Sequence, residues 1–149
     1  MTATSTSEQA TTTAQRRHGD VSVGDELAPV SFPLTVYRLV MEAGANRDFN
    51  SIHHNSEYAQ ATGAREMYAN TSFLLGMWER AVRDWIGPAG KIHSIAGFRM
   101  RSFNYVGDTT TVTGKVVGID DTMIRIEVTS SNSDGVTVGP GIVTVSLPE

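Results

Sequence analysis

The sequence contains no cysteine, which excludes disulfide bonds, thiolate metal sites and a cysteine nucleophile. No apolar run approaches the roughly 20 residues that a membrane-spanning helix needs. Basic residues are few as well: 12 Lys and Arg stand against 16 Asp and Glu, giving a net charge of -4. They are scattered and form no basic stripe of the kind that binds nucleic acid. We therefore expect a cytoplasmic protein that binds neither nucleic acid nor a membrane.

The chain has 149 residues, of which 40% are hydrophobic and 19% charged, as in an ordinary globular domain. Residues 1–20 are rich in Thr, Ser, Ala and Gln and contain no large apolar residue after Met1. This composition predicts a disordered, dispensable tail, and it lacks the apolar region of a signal peptide. Residues 21–149 are expected to form a single domain.

One long helix is the clearest element, over residues 71–86. Asn70, Thr71 or Ser72 can cap its start, Gly87-Pro88 ends it, and its apolar residues recur at helical spacing: Leu74, Met77, Trp78, Ala81, Val82 and Trp85. Shorter helices are predicted over 34–43, ended by Gly44, and over 56–61, ended by Gly63.

The second half of the chain predicts strands. Thr, Val and Ile dominate four stretches, 92–104, 109–117, 123–130 and 136–147, the last broken by a bulge at Gly139-Pro140-Gly141. A further edge strand with two prolines is predicted within 21–33. Because one long helix can cover only one face of a sheet, the class is α+β, with an antiparallel sheet curled around a central helix.

A polar loop over residues 47–55 holds the strongest candidates for chemistry. It contains Asp48 and His53, which would lie about 140° apart on a regular helix and can converge only on a bent backbone. An imidazole beside a carboxylate suits acid–base work on a bound water. A helix-capping Asp48 and a structural loop His53 would give the same pattern, so both interpretations stay open on residue types alone.

The adjacent His54 is either a second wall of this site or a solvated neighbour, and we favour the neighbour. A metal site made of Asp48, His53 and His54 is a minor alternative. Adjacent histidines rarely bind one ion together, and no further ligand is evident, so we predict no metal.

The run from Asp48 to His53 resembles the hydratase motif of the MaoC-like enoyl-CoA hydratases, Asp-x-Asn-Pro-(aliphatic)-His. Residues 34–44 resemble the helix that leads into that motif, and residues 106–109 resemble the family's strand-entry segment. The doubled histidine, residues 83–88 and residues 92–95 are similar to the small MaoC-like subunit of actinobacterial steroid side-chain hydratases. The resemblance extends from about Gly24 onward, although Ser51 replaces the motif proline and a glycine common at the entry to the long helix is absent.

The resemblance implies the hotdog fold, an antiparallel sheet wrapped around one long helix. It implies addition of water to the double bond of an enoyl-CoA, here one with a bulky steroid side chain, with coenzyme A as part of the substrate and no separate cofactor. It assigns the water-handling pair to Asp48 and His53, with Asn50 bracing the loop. Backbone N–H groups at the start of the long helix are expected to receive the thioester oxygen: Ala69, Asn70 and Thr71.

The resemblance also implies a partner, a second MaoC-like hotdog chain in a heterodimer that doubles into an α2β2 assembly. A homodimer is the simplest alternative on general grounds. Two other functions share the fold: a non-catalytic subunit that completes a partner's acyl-CoA site, and a thioesterase.

Overall fold

A computed structural model describes residues 14–149, so the first part of the predicted tail, residues 1–13, lies outside the described residues. Five strands and three helices follow one another in this order: β1 Glu26–Pro33, α1 Val36–Ala45, α2 Ser56–Ala61, α3 Thr71–Ile86, β2 Lys91–Ala96, β3 Thr109–Ile119, β4 Ile124–Asn132 and β5 Gly135–Ser146.

The strands form one antiparallel sheet in the order β1-β3-β4-β5-β2, which leaves β1 and β2 at its two edges. The apolar face of α3 joins the inner side chains of the sheet in one core. This is the predicted α+β arrangement, a sheet wrapped around one long helix, and it is the hotdog fold. Between residues 14 and 149, no helix is both long and apolar enough to cross a membrane.

Helix α3 has the predicted bounds, from Thr71 to Ile86, and Asn70 is its N-cap. All six residues of the predicted apolar stripe are buried. The indole N–H of Trp78 donates to Ser130 Oγ on β4 over 2.7 Å, and both residues are fully buried. Trp78 and its hydrogen bond therefore fill the space between the middle of α3 and the sheet.

Strand β4 shows why the sheet has one covered face. Ile124, Ile126 and Val128 are fully buried, whereas the intervening Arg125 and Glu127 are exposed, because successive side chains on a strand point to opposite faces. The predicted irregularity in the last strand is also present, since the pairing of β4 with β5 changes register between Gly141 and Val138.

The predicted strand over 92–104 is too long. Strand β2 ends at Ala96, because Gly97 adopts a left-handed φ of 70° and passes close to Gly141, where a Cβ would lie 3.3 Å from Gly141 Cα. Residues 99–102 still bond to β5, through Gly139 N to Arg99 O at 2.9 Å and Arg101 N to Thr137 O at 2.8 Å, but they form only the isolated bridge Met100–Val138 and no regular strand. The chain then reaches the start of α3, where Tyr105 bridges Tyr68.

The predicted stop of α1 at Gly44 is also wrong. The helix continues through Ala45 and ends with Arg47 in the left-handed conformation, at a φ of 56°. The backbone N–H groups of Arg47 and Asp48 then bond back to the carbonyls of Gly44 and Ala43, at 3.2 and 2.9 Å. These two bonds define a Schellman motif, in which Arg47 occupies the position that glycine usually takes.

The end of the predicted tail at Asp20 is too far along the chain. Residues 14–20, here called the N-terminal strap, cover the C-terminal end of α3. Gln15 Nε2 donates to Ile86 O over 3.0 Å, and Arg16 Nε donates to Trp85 O over 3.2 Å. The Arg16 guanidinium also lies 4.4 Å from the centre of the Trp85 ring. The strap binds there because the last carbonyls of a helix have no donor within the helix.

Candidate active site

The polar loop after α1 bends as its residue types predict. Its Schellman motif turns the chain at Asp48, and a 3₁₀ turn then spans Ser51–His53. Asn50 caps that turn, since its Oδ1 accepts the N–H of Ile52 over 3.2 Å, while the residue itself is exposed. Asn50 thus has the bracing contact proposed for it. The two turns in succession bring Asp48 back toward His53.

Asp48 and His53 form a close pair. Asp48 Oδ2 lies 3.2 Å from His53 Nε2, and the histidine is only 7% exposed, whereas the carboxylate reaches solvent. The other ring nitrogen, Nδ1, lies 2.8 Å from the backbone oxygen of Tyr68. A carbonyl oxygen can only accept a hydrogen bond, so Nδ1 carries the proton of the neutral ring. In the neutral ring Nε2 is then an acceptor, and in the protonated ring it donates to Asp48 Oδ2.

Tyr68 meets His53 with its ring as well as its carbonyl. The two rings are perpendicular, with centroids 5.4 Å apart, and the Tyr68 ring stacks on Phe103 at 4.1 Å. The ring of Tyr105 stands edge-on to Tyr68 at 6.2 Å, with the Arg65 guanidinium 4.4 Å from its centre. Burial raises the pKa of the Tyr68 phenol, and Tyr105 raises it further. The phenol next to His53 therefore stays uncharged at neutral pH.

The start of α3 lies beside this pair, because Tyr68 is two residues before the N-cap Asn70. The Asn70 side chain accepts the N–H of Phe73 over 2.8 Å, and it is also 3.4 Å from Asn46 Nδ2 at the end of α1. The backbone N–H groups of Asn70 and Thr71 meet no acceptor within residues 14–149. Asn70 Nδ2 is buried and has no partner there either. This helix end therefore keeps several donors available, with the dipole favouring negative charge.

Two of the candidate residues do not join this arrangement. The N–H of Ala69 donates to Asn104 O over 2.9 Å, so it is not free to bind a substrate oxygen, and our expectation for Ala69 is wrong. His54 is exposed, and its Nε2 lies 3.4 Å from Phe49 O, away from the Asp48 carboxylate. Across residues 14–149, no group of three His, Asp or Glu side chains is placed to hold a metal ion.

Three aromatic residues near His53 were missed in the sequence: Tyr68, Phe103 and Tyr105. They meet because residues 67–69 pair with residues 104–106, through Val106 N to Met67 O at 3.0 Å and the Ala69–Asn104 bond. These segments are far apart in the chain and neither has a periodic pattern, so no local signal indicates their contact.

Solved structures of other proteins share the fold of this chain. The R-hydratase PhaJ1 from Pseudomonas aeruginosa in its unliganded form superimposes with a TM-score of 0.81 over 89% of this chain and 86% of its own. At 21% identity, this likeness shows the fold alone. No protein-family model matches the sequence.

Matches from Mycobacterium tuberculosis are closer in sequence. A chain of the ChsH1-ChsH2 complex is 32% identical, with a TM-score of 0.80 over 85% of this chain and 98% of its own. The 3-oxo-4,17-pregnadiene-20-carboxyl-CoA hydratase beta subunit of strain ATCC 25618 / H37Rv is 36% identical over 97 residues, 65% of this chain and 74% of its own. The chain belongs to the MaoC-like enoyl-CoA hydratase family. Within it, the chain is similar to the subunits of steroid side-chain hydratases.

Proposed function

We propose that this chain is a catalytic hydratase subunit, which adds water to the α,β-double bond of a bulky steroid side-chain enoyl-CoA. The observation that carries the proposal is the placement of His53 between two acceptors, Tyr68 O at 2.8 Å and Asp48 Oδ2 at 3.2 Å. When an imidazole in this position gains a proton, each of its two N–H groups has a hydrogen-bond acceptor. That is the change which a base undergoes when it activates water.

The proton steps follow from the two ring nitrogens. Neutral His53 offers only Nε2 as an acceptor, and this atom and Asp48 Oδ2 can each accept one O–H of the same water. As the water oxygen bonds to the β-carbon, its proton passes to Nε2, and the double-bond electrons move into the thioester as an enolate. The α-carbon then takes one proton from the Asp48–His53 pair, so none is gained or lost. The acid and base roles of Asp48 and His53 can exchange along this path.

The enolate oxygen needs donors that are free before the substrate arrives. We assign this role to the backbone N–H groups of Asn70 and Thr71, at the positive end of the α3 dipole. Ala69 is no longer a candidate, because its N–H is bonded to Asn104. Coenzyme A enters as part of the substrate, and the proposed reaction uses no separate cofactor or metal.

The acyl group must lie outside the core of this chain. Trp78, Leu74 and Met77 on α3 are at most 1% exposed, so the space between helix and sheet is filled. A polycyclic acyl group therefore needs a surface that another subunit completes. Within residues 14–149, β1 and β2 are the unpaired edges of the sheet, and an unpaired edge invites strand pairing. We propose a second MaoC-like hotdog chain as that subunit, in an α2β2 assembly, with a homodimer as the alternative.

The test is hydration of a steroid enoyl-CoA. Loss of the enoyl-thioester absorbance measures hydration, and free thiol is measured in the same samples. We expect absorbance loss without thiol release, weak for the chain alone and restored by a partner hotdog chain. Thiol release without hydration would identify a thioesterase and overturn the proposal. An assembly that remains fully active when Asp48 and His53 of this chain are both replaced would identify a non-catalytic subunit.

A further inference from the structure

Tyr68 makes three contacts that fix the position of His53. The Tyr68 carbonyl accepts the Nδ1 proton over 2.8 Å, and its ring packs edge-on against the imidazole. The Tyr68 N–H also points to Ile52 O, at 3.4 Å, on the turn that carries His53. A shift of Tyr68 would therefore change the hydrogen bond, the packing and the backbone of His53 together.

Two acceptors compete for the one proton of the neutral His53 ring. Tyr68 O faces Nδ1, and Asp48 Oδ2 faces Nε2. A carboxylate is the stronger acceptor of the two, but the Tyr68 contact is shorter by 0.4 Å (3.2 against 2.8 Å). If Tyr68 moved away, the proton would pass to Nε2 and bond to Asp48. Nε2 could then no longer accept a proton from water, so the proposed base would be lost.

Phe103 packs against a face of the Tyr68 ring. The rings of Phe103 and Tyr68 are stacked, with centroids 4.1 Å apart and planes within 22°. Phe103 is itself 38% exposed and is absent from the main core cluster. Its neighbour Phe98 serves that core, since it packs edge-on against Trp78 at 4.9 Å. Two phenylalanines of the same segment thus contact different parts of the molecule.

We propose that Phe103 is a positioning residue for His53. Phe103 holds Tyr68 where the Tyr68 carbonyl accepts the N–H of His53 Nδ1, and this keeps the proton of the neutral ring on that nitrogen. This inference rests on the proposed function only because the proposed function makes His53 the base. The control of the His53 tautomer by Phe103 is a property of the folded chain, and it can be measured without a substrate.

The experiment compares Phe103→Leu with Phe103→Tyr, which keeps the stacking ring, and with Phe98→Leu, which removes the same atoms from the other aromatic pair. The ring ¹⁵N signals of His53 are recorded in the full chain at about pH 8, where an ordinary imidazole is neutral. The assignment uses the signal lost in His53→Gln. Values of kcat and KM are measured for each variant in the assembly that hydrates.

We expect the wild-type chain to carry its proton on Nδ1. Phe103→Leu should move a clear fraction of it to Nε2 and lower kcat about tenfold, since small misplacements of a catalytic group have large effects on rate. KM should stay within about twofold, as the substrate contacts are unchanged. Phe103→Tyr should have the wild-type His53 tautomer and the wild-type kcat. Phe98→Leu should lower the melting temperature but leave the His53 tautomer unchanged.

An unchanged tautomer in Phe103→Leu would overturn the proposal, as would an equal shift in Phe98→Leu, which would indicate general loosening. Failure of Phe103→Tyr to restore the signal would also overturn it. A wild-type protein that shows the expected tautomer control but hydrates no enoyl-CoA would instead contradict the proposed function alone.

Discussion

The two ends of helix α3 differ in how their backbone polar groups are hydrogen-bonded. At the C-terminal end, Gln15 and Arg16 of the N-terminal strap bond the carbonyls of Ile86 and Trp85. At the N-terminal end, Asn70 and Thr71 keep backbone N–H groups without an acceptor in residues 14–149, beside the Asp48–His53 pair. The helix therefore has one end where the strap bonds the carbonyls of Trp85 and Ile86 and one end whose donors stay available for a ligand. Substitutions at the two ends should affect different measurements.

The largest effect is expected at the N-terminal end. Asp48→Ala and His53→Ala should each lower kcat/KM for hydration at least about a hundredfold, or roughly 2.7 kcal/mol in the barrier, the scale of lost general acid–base catalysis. Both variants should still fold, because both side chains lie on a loop.

His54→Ala is the matched control, since it removes an adjacent, exposed imidazole. It should keep the rate within about threefold, well under the hundredfold loss expected of a catalytic residue. If Asp48→Ala retained a near wild-type rate with its partner bound, the site would be wrongly assigned.

The next effect concerns the C-terminal end. Deletion of residues 1–20 should lower the free energy of unfolding by about 2 kcal/mol, from two hydrogen bonds and the Arg16–Trp85 contact. Deletion of residues 1–13 is the control and should have little effect. Denaturant unfolding of both truncated chains measures the difference, and kcat should stay unchanged in each. Equal stability of the two truncated chains would show that the strap contributes nothing.

A third prediction tests the cap at the N-terminal end. Asn70→Ala should cost about 1 kcal/mol in unfolding free energy, because the first turn of α3 loses its acceptor. It should also lower kcat, since the proposed oxyanion donors lose their support. Asn55→Ala is the matched control, because Asn55 caps α2 in the same way through Tyr58 N at 2.9 Å. A similar loss of kcat in both variants would show that the two caps do not differ in function.

The smallest effect is expected at Arg47, which turns the chain into the loop beside this end. Its left-handed φ of 56° is unfavourable for a residue with a Cβ. Arg47→Gly should therefore leave the unfolding free energy unchanged or raise it by up to about 1 kcal/mol. Thermal unfolding measures this, with Arg47→Ala as the control, because alanine removes the same charge but keeps a Cβ. A clear destabilisation by glycine would mean that the Arg47 side chain matters more than its backbone.

Sequence patterns predicted the elements whose causes are local. Helix α3 has a period, a cap and a stop within its own residues, so its bounds were predicted correctly. The turn-forming residues between Asp48 and His53 allowed the two side chains to converge, and the family resemblance assigned them as a pair. The end of β2 at Ala96 could not be predicted, since it depends on the approach of Gly97 to Gly141 from a distant strand.

The missed parts of the site share a different cause. Tyr68 reaches His53 through its backbone oxygen, an atom that every residue possesses, so its identity as an aromatic residue indicated nothing. The N-terminal strap binds through two polar side chains, in a segment whose composition predicted disorder. In both cases the contact depends on one or two hydrogen bonds between distant segments, and hydrophobic periodicity does not report such bonds.

Both tryptophans of the chain are on α3, and their surroundings differ. Trp78 is fully buried against Ser130, whereas Trp85 lies beneath the Arg16 guanidinium. Their intrinsic fluorescence can therefore report two events separately. Detachment of the strap would quench or shift the emission of Trp85 while Trp78 still emitted from an apolar environment, and Trp78 would change only when the helix left the sheet. Single Trp→Phe variants would assign each signal, so the chain carries its own optical probes for local opening and for global unfolding.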